Sequence, residues 1–111
     1  MSDCIFCKIA NGEIPSTKVY EDDKMLAFRD LDPQAPVHIL VIPKMHLIGA
    51  VAVTEENSAV VAHIFEVIPK IAAAEGITDY RVVTNQGAEA GQTVHHLHFH
   101  ILSGRTLKGM G

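Results

Sequence analysis

The stretch His96-Leu97-His98-Phe99-His100-Ile101-Leu102 alternates polar and apolar residues with a period of two. On a β-strand this pattern places three imidazoles on one face and the apolar side chains on the other. The Cβ atoms of neighbouring histidines would then lie about 7 Å apart, so that their imidazoles are close enough to act on one phosphate or one metal ion. Histidine at neutral pH can be a nucleophile, a general acid and base, or a metal ligand. The pattern therefore leaves both phosphoryl transfer and zinc binding open, and a merely solvated histidine-rich strand is the alternative.

Short segments punctuated by glycine and proline precede this strand. Asp3 is expected to cap a first helix, and Thr54 a long second one with Glu55 and Glu56 in its first turn. Pro69 lies within the second helix, where we expect a bend or a break. The predicted helices span residues 4–10 and 54–74, and the predicted strands span 18–21, 25–30, 37–42, 80–84 and 94–102. This order predicts an α+β fold, with an antiparallel five-stranded sheet, one short helix and one long helix.

Composition narrows the class of protein. The chain has 111 residues, which predicts a single domain over 1–111, and its net charge of −4 argues against nucleic-acid binding. Its longest apolar run, residues 47–53, is far below the roughly 20 residues of a membrane-spanning helix. The first residues do not have the layout of a signal peptide, so we expect a soluble cytoplasmic protein. The sheet must leave an edge or a face exposed, which favours a dimer.

The two cysteines form a Cys-x-x-Cys pair near the start of the chain. Cys4 and Cys7 are three residues apart and would share one face of a helical turn. A redox pair normally opens a helix that follows a strand, and no strand is predicted before this one. Half of a zinc site is therefore the preferred interpretation, and two buried thiols are the alternative.

The sequence resembles the histidine triad (HIT) superfamily, whose motif is His-φ-His-φ-His-φ-φ with φ apolar. The resemblance covers nearly the whole chain and is closest to the Hint-like, nucleotide-binding branch. It is carried by the seven residues quoted above, Gly91-Gln92-Thr93-Val94, the stretch from Asp30-Leu31-Asp32-Pro33 to His46, Ile5-Phe6-Cys7-Lys8-Ile9 and Glu13-Ile14-Pro15. It implies a HIT-like fold, a homodimer, and hydrolysis of purine nucleoside 5′-phosphoramidates to AMP and an amine.

The resemblance also implies roles for individual residues. His98 would be the nucleophile that forms a covalent nucleotidyl-histidine, His100 would contact the phosphate, and His38 would order the network, with His96 completing the catalytic set. Asp30 would bind the ribose diol. The remaining nucleotide-binding residues would be Ile5, Phe6, Ile9 and Phe28 around the purine, Leu31 beside the ribose, and Asn85, Gly91, Gln92 and Thr93 around the phosphate.

The same resemblance completes the metal site. In Hint-like proteins that retain the cysteines, the other two ligands correspond to His46 and His96. Two thiolates and two imidazoles form a closed tetrahedral set, which is typical of structural zinc, so we expect catalysis to need no cofactor. Several other readings stay open. Asp30 and Asn85 also suit turns, and Phe6 and Phe28 also suit the core. His63 is interpreted as a partly exposed residue of the long helix, and His95 as a structural residue.

Other functions fit the same residues. Glu89-Ala90-Gly91-Gln92-Thr93-Val94 equally resembles the dinucleoside polyphosphate hydrolase branch. A non-catalytic nucleotide-binding module and a catalytic zinc centre on the triad are further alternatives. The tail after Ser103 contains no tryptophan, whereas the common Hint-like ending has one and usually reaches the partner's site.

Overall fold

The computed structural model describes residues 3–110 and contains two α-helices and five strands. Two single-turn 3-10 helices, Ala50–Ala52 and Ala88–Ala90, lie in the connections. The principal elements are α1 (Ile5–Ala10), β1 (Lys18–Glu21), β2 (Met25–Arg29), β3 (Val37–Pro43), α2 (Ser58–Ala74), β4 (Arg81–Val83) and β5 (Phe99–Ser103). The predicted α+β class and the antiparallel five-stranded sheet with one short and one long helix are confirmed. Within residues 3–110, no helix is long and apolar enough to cross a membrane.

The strands are arranged in the order β1-β2-β3-β5-β4, and every neighbouring pair is antiparallel. β3 lies at the centre because its β-branched, nearly continuous apolar run suits burial on both faces. Alternate residues of the inner strands face opposite helices. One face packs against α2 through Ala27, Ile39, Val41, Phe99 and Ile101. The other packs against α1 through Leu26, Phe28, Leu40 and Ile42.

The short helix α1 begins one residue later than predicted. Its N-cap is Cys4, whose Sγ accepts a hydrogen bond from the backbone N–H of Cys7 at 3.3 Å. The predicted cap, Asp3, is therefore wrong, because the thiol takes the place of an oxygen acceptor. Phe6 and Ile9 are buried against the sheet.

The long helix α2 begins at Ser58, so the predicted cap at Thr54 is also wrong. Asn57 Oδ1 accepts from the backbone N–H of Thr54 at 2.8 Å, which folds residues 54–57 into a separate turn. Glu55 and Glu56 therefore precede the helix. The helix continues through Pro69 to Ala74 without the expected break. Proline removes one backbone donor here, while the buried residues Val67, Ile68 and Ile71 hold both sides of it against the sheet.

The last strand is shorter than predicted and begins at Phe99 instead of residue 94. The backbone N–H of Leu97 donates to the carbonyl of Leu47 at 2.6 Å, and the ring of His96 bonds the carbonyl of Pro43 at 2.8 Å. This segment is thus tied to the chain that follows β3, outside the sheet ladder. β2 and β4 are likewise one and two residues shorter than predicted.

Candidate active site and metal centre

The three histidines of the quoted stretch do not share one strand face, which corrects the prediction. His98 and His100 lie side by side, with ring centroids 5.1 Å apart. His96 precedes the strand and turns its Nδ1 towards the thiol of Cys4, 3.3 Å away. The strand begins too late to impose the period of two on His96. The stretch therefore supplies residues to two sites, a histidine network and a cysteine–histidine cluster.

Hydrogen bonds define the protonation of the histidine network. The backbone N–H of Gln34 donates to Nδ1 of His38 at 2.9 Å, so that nitrogen carries no proton. The proton of a neutral His38 then lies on Nε2, which is 2.8 Å from Nδ1 of His100. His100 accepts this bond at Nδ1 and keeps its own proton on Nε2. His38 and His100 meet because they are diagonal neighbours on adjacent strands, β3 and β5.

His98 has the opposite arrangement of its ring nitrogens. Its Nδ1 lies 2.7 Å from the backbone carbonyl oxygen of His96. A carbonyl only accepts, so Nδ1 of His98 holds a proton, and in the neutral tautomer Nε2 has a free lone pair. The ring is buried, and the ring of Phe6 packs edge-on with its centroid 5.1 Å away. The chain thus presents one unprotonated, positioned imidazole nitrogen, which is what nucleophilic catalysis requires.

Burial shifts the network towards neutral imidazoles. Burial lowers the pKa of His38, although the carboxylates of Asp30 and Asp32 partly oppose this effect. Burial, and then the neighbouring rings of His98 and His38, lower the pKa of His100 to about 4. His100 is therefore a neutral hydrogen-bond donor at physiological pH, before any ligand binds.

A cavity of about 300 Å³ lies between α1, the end of β2 and the His98–His100 pair. Nine of the residues predicted to bind a nucleotide line it: Ile5, Phe6, Ile9, Phe28, Asp30, Leu31, Thr93, His98 and His100. It is also lined by residues to which no role was given in the sequence analysis, namely Ile14, Pro15, Ser16, Thr17, Arg29, Leu40 and Val94. The quoted Glu13-Ile14-Pro15 was the available signal for part of this wall.

Three other predicted residues, Asn85, Gly91 and Gln92, do not line this cavity. Gln92 is buried, accepts from the N–H of Gly87 at 2.8 Å and donates to the carbonyl of Ile48 at 2.7 Å. Gly91 has a φ of +100°, in the left-handed region that favours glycine, and it lies beside the amide of Asn85. The side-chain hydrogen bonds of Gln92 and the backbone conformation of Gly91 shape the loop that carries Thr93.

Asp30 lies at the mouth of the cavity, beside the almost fully exposed Leu31. One carboxylate oxygen accepts from the backbone N–H of Asp32 at 2.8 Å, which is the turn interaction considered for this residue. The other lies 3.4 Å from Nε2 of His38. The carboxylate is thus held at the cavity rim by its own turn.

The cysteine–histidine cluster brings together all four predicted metal ligands. Nδ1 of His46 lies 3.2 Å from Sγ of Cys7 and 3.2 Å from Nδ1 of His96. Zinc bonds of about 2.3 Å to sulfur and about 2.0–2.1 Å to nitrogen give tetrahedral ligand separations of roughly 3.3–3.8 Å, close to these distances. His96 uses its Nε2 proton on the carbonyl of Pro43, which leaves Nδ1 free to bind a metal. The four residues therefore fit a structural zinc ion.

Acid–base chemistry in the cluster is consistent with this assignment. Burial lowers the pKa of His96, which keeps the imidazole neutral as a ligand must be. Burial and then the adjacent thiol of Cys4 raise the pKa of Cys7. The thiol of Cys7 therefore keeps its proton without a cation nearby, and a bound metal ion displaces that proton.

A second group, Asp30, His38 and His100, also brings three ligand atoms within 4.8 Å of one another. Its hydrogen bonds oppose a metal ion. Nε2 of His38 must hold a proton because Nδ1 accepts from the backbone of Gln34. If a metal ion occupied Nε2, the proton of neutral His38 would move to Nδ1, where it would face the N–H of Gln34. The donor chemistry disfavours a catalytic zinc centre here.

The remaining histidines lie outside both sites. His63 is partly exposed on α2, and its Nε2 lies 2.7 Å from a carboxylate oxygen of Asp22. His95 is exposed. Among residues 3–110, neither ring forms a hydrogen bond or a ring contact with His98 or His100.

Comparison with known proteins agrees with this architecture. The family description "HIT domain" matches residues 11–107. A "14 kDa zinc-binding protein" of Zea mays is 48% identical over 109 residues, covering 96% of this chain and 85% of that protein. A histidine triad protein from Clostridium difficile superposes with a TM-score of 0.95 at 54% identity, covering 100% and 98% of the two chains. A HIT family hydrolase from Clostridium thermocellum gives 0.95 at 42% identity, covering 99% and 97%. This chain therefore belongs to the HIT domain family.

Proposed function

We propose that this protein is a Hint-like hydrolase that cleaves purine nucleoside 5′-phosphoramidates into AMP and an amine. The observation that carries the proposal is the orientation of His98. The Nδ1 proton of His98 is held by the carbonyl of His96. The His98 ring borders a cavity of about 300 Å³ with apolar and acidic walls. That volume is at the lower end of the range for small-molecule sites.

Different residues of the cavity suit the base, the ribose and the phosphate of a nucleotide. The flat base would lie against the apolar side chains of Phe6, Ile9 and Phe28. The carboxylate of Asp30 at the rim would accept from the two ribose hydroxyls. The 5′-phosphate would then reach His98, His100 and the hydroxyl of Thr93, with Asn85, Gly91 and Gln92 supporting that loop from behind.

The reaction would proceed in two displacements. The lone pair on Nε2 of His98 attacks phosphorus, the P–N bond breaks, and its electron pair leaves with the amine nitrogen. The positive charge that forms on the ring is stabilised by the Nδ1–H bond to the carbonyl of His96. Water then attacks phosphorus, the bond to Nε2 breaks, and AMP is released.

The hydrogen bonds of His38 and His100 limit the part that His100 plays in proton transfer. Nδ1 of His38 accepts from the backbone N–H of Gln34, and Nδ1 of His100 accepts from Nε2 of His38. Neither Nδ1 atom is therefore free to take up an additional proton. His100 therefore acts as a neutral donor to a phosphate oxygen. The departing nitrogen takes its proton from water, and the water of the second step returns one to solvent.

The experiment that tests this proposal is intact-protein mass spectrometry, acid-quenched within seconds of mixing with adenosine 5′-phosphoramidate. We expect an AMP adduct on the wild type and on His95→Ala, which loses an exposed neighbouring histidine. We expect no adduct on His98→Ala, which should still bind AMP. If the wild type forms neither an adduct nor free AMP, the proposal is wrong. If instead a dinucleoside polyphosphate yields AMP and a nucleoside polyphosphate, the protein belongs to the other branch.

We also propose that the active form is a cytoplasmic homodimer. β4 is a three-residue, half-buried strand at one edge of the sheet, which leaves backbone groups available for a partner. A reducing compartment would keep Cys4 and Cys7 available as metal ligands.

A further inference from the structure

The metal centre and the proposed nucleophile share one residue. Nδ1 of His96 faces the thiols of Cys4 and Cys7, at 3.3 and 3.5 Å. The backbone carbonyl of the same residue accepts the Nδ1 proton of His98 at 2.7 Å. His96 is fully buried and precedes the sheet ladder, so β5 does not fix its backbone. The peptide unit that carries this carbonyl is also held by the bond from the N–H of Leu97 to the carbonyl of Leu47, the residue that directly follows the ligand His46. The position of the carbonyl therefore depends on what holds the His96 ring and on the segment that carries His46.

The helix α1 connects the same two sites. Cys4 caps this helix and Cys7 lies in its first turn, on the side of the metal centre. Phe6 and Ile9 belong to the same six residues and form the wall of the nucleotide cavity. Phe6 packs edge-on against both His96 and His98, with centroids 6.0 and 5.1 Å away. A helix this short is not stable alone, so its placement depends on its contacts.

From these shared elements we infer that metal binding and nucleotide binding are thermodynamically coupled. A zinc ion on Cys4, Cys7, His46 and His96 holds α1 and the His96 carbonyl in the positions that the cavity and His98 need. Each ligand consequently raises the affinity for the other by the same factor, as linkage requires. The inference rests on the proposed function, since it takes the cavity to bind a nucleotide. It makes the metal ligands positioning residues for His98.

The test uses AMP and Zn²⁺ as the two probes on the full chain. Isothermal titration gives the Kd for AMP with zinc-loaded and with chelator-treated protein. Competition with a chromophoric chelator gives the Zn²⁺ affinity with and without saturating AMP. Coupling energies in proteins correspond to factors of about 5–150. We expect AMP to bind at least about tenfold more weakly without metal, and the Zn²⁺ affinity to rise by the same factor with AMP.

The outcomes separate this inference from the proposed function. If zinc-loaded protein does not bind AMP, the nucleotide-binding proposal itself fails. If loaded and metal-free proteins bind AMP equally, the nucleotide site stands and the coupling is refuted. Should the metal-free chain lose its circular dichroism signal, the rate of Zn²⁺ release from the loaded protein decides. AMP should slow that release about tenfold, and an unchanged rate would refute the coupling.

Two variants distinguish coupling from a general loss of stability. Cys7→Ser removes one ligand and should weaken AMP binding even with Zn²⁺ present. His63→Ala removes the ring that meets Asp22 from α2, on the opposite face of the sheet, and should leave the Kd for AMP unchanged. Equal effects of the two variants would contradict the inference.

The nitrogen resonances of His98 provide a direct readout of its positioning. In zinc-loaded protein the Nδ1–H tautomer should dominate, because the carbonyl of His96 holds that proton. Removal of the metal should increase the population of the other tautomer. A zinc ion that only stabilises the fold would leave the tautomer of the folded molecule unchanged.

Discussion

At the scale of single residues, neighbouring histidines acquire different chemistry from their hydrogen-bond partners. His98 gives its Nδ1 proton to a carbonyl and keeps Nε2 free, whereas His100 accepts at Nδ1 and keeps its proton on Nε2. The two residues are equivalent in the alternating sequence pattern. Their difference arises because one partner is the backbone of His96 and the other is His38, on a different strand. A sequence pattern alone does not contain that distinction.

The lowered pKa of His100 predicts a pH dependence of stability. The unfolded chain takes up a proton at this residue below about pH 6.5, while the folded chain resists protonation until about pH 4. The unfolded state therefore binds more protons in that window, so stability falls as the pH decreases through it. We expect the wild type to lose unfolding free energy more steeply between pH 7 and 5 than His100→Gln, measured by urea denaturation at each pH. The zinc ligands are identical in both proteins, and parallel curves would contradict this expectation.

At the scale of elements, the period of two predicted the last strand correctly but placed its start five residues too early. Residues 99–103 pair with β3, but residues 94–98 do not. The competing interactions join positions far apart in sequence, such as the N–H of Leu97 and the carbonyl of Leu47. The cap predicted at Thr54 failed for a local reason, because Asn57 Oδ1 accepts from the N–H of Thr54 and closes a separate turn before the helix. A local pattern identifies an element well, but the ends of the element depend on competing contacts, some local and some tertiary.

The continuity of α2 through Pro69 leads to a prediction about that helix. Pro69 is exposed and has no N–H to donate to the carbonyl one turn earlier, that of Phe65. Pro69→Ala supplies this donor and a residue of high helix propensity. We expect a stabilisation of roughly 1–3 kcal/mol in urea denaturation, with no change in AMP binding. If Pro69→Ala is instead less stable than the wild type, α2 depends on the rigid proline ring. The control is Ala73→Ser, a substitution at another exposed position of the same helix.

At the scale of the whole molecule, the sheet separates two packing regions, and the proposed chemistry lies entirely on the α1 side. The α2 side resembles an ordinary core, in which Ile64, Ile68 and Ile71 recur at helical spacing and are buried. The α1 side carries the cavity and the metal cluster. The resemblance to the HIT superfamily predicted most of the residues of these two sites, but it gave no role to residues 14–17, which form one wall of the cavity. Those residues lie in a connection without periodicity, so only the folded chain brings them to the cavity.

The position of the metal cluster predicts how zinc affects the stability of the whole chain. Its four ligands come from α1, from the segment after β3 and from the segment before β5, so one ion would join three parts of the chain. Zn²⁺ at 100 times its Kd stabilises the folded state by about 2.7 kcal/mol. For a chain of this size each kcal/mol shifts the Tm by roughly 4 °C, so chelation should lower the Tm by about 10 °C. Scanning calorimetry with Zn²⁺ and with a chelator measures this difference. Cys7→Ser should show little response to the chelator, and a wild type that shows none either would mean that the cluster holds no stabilising ion.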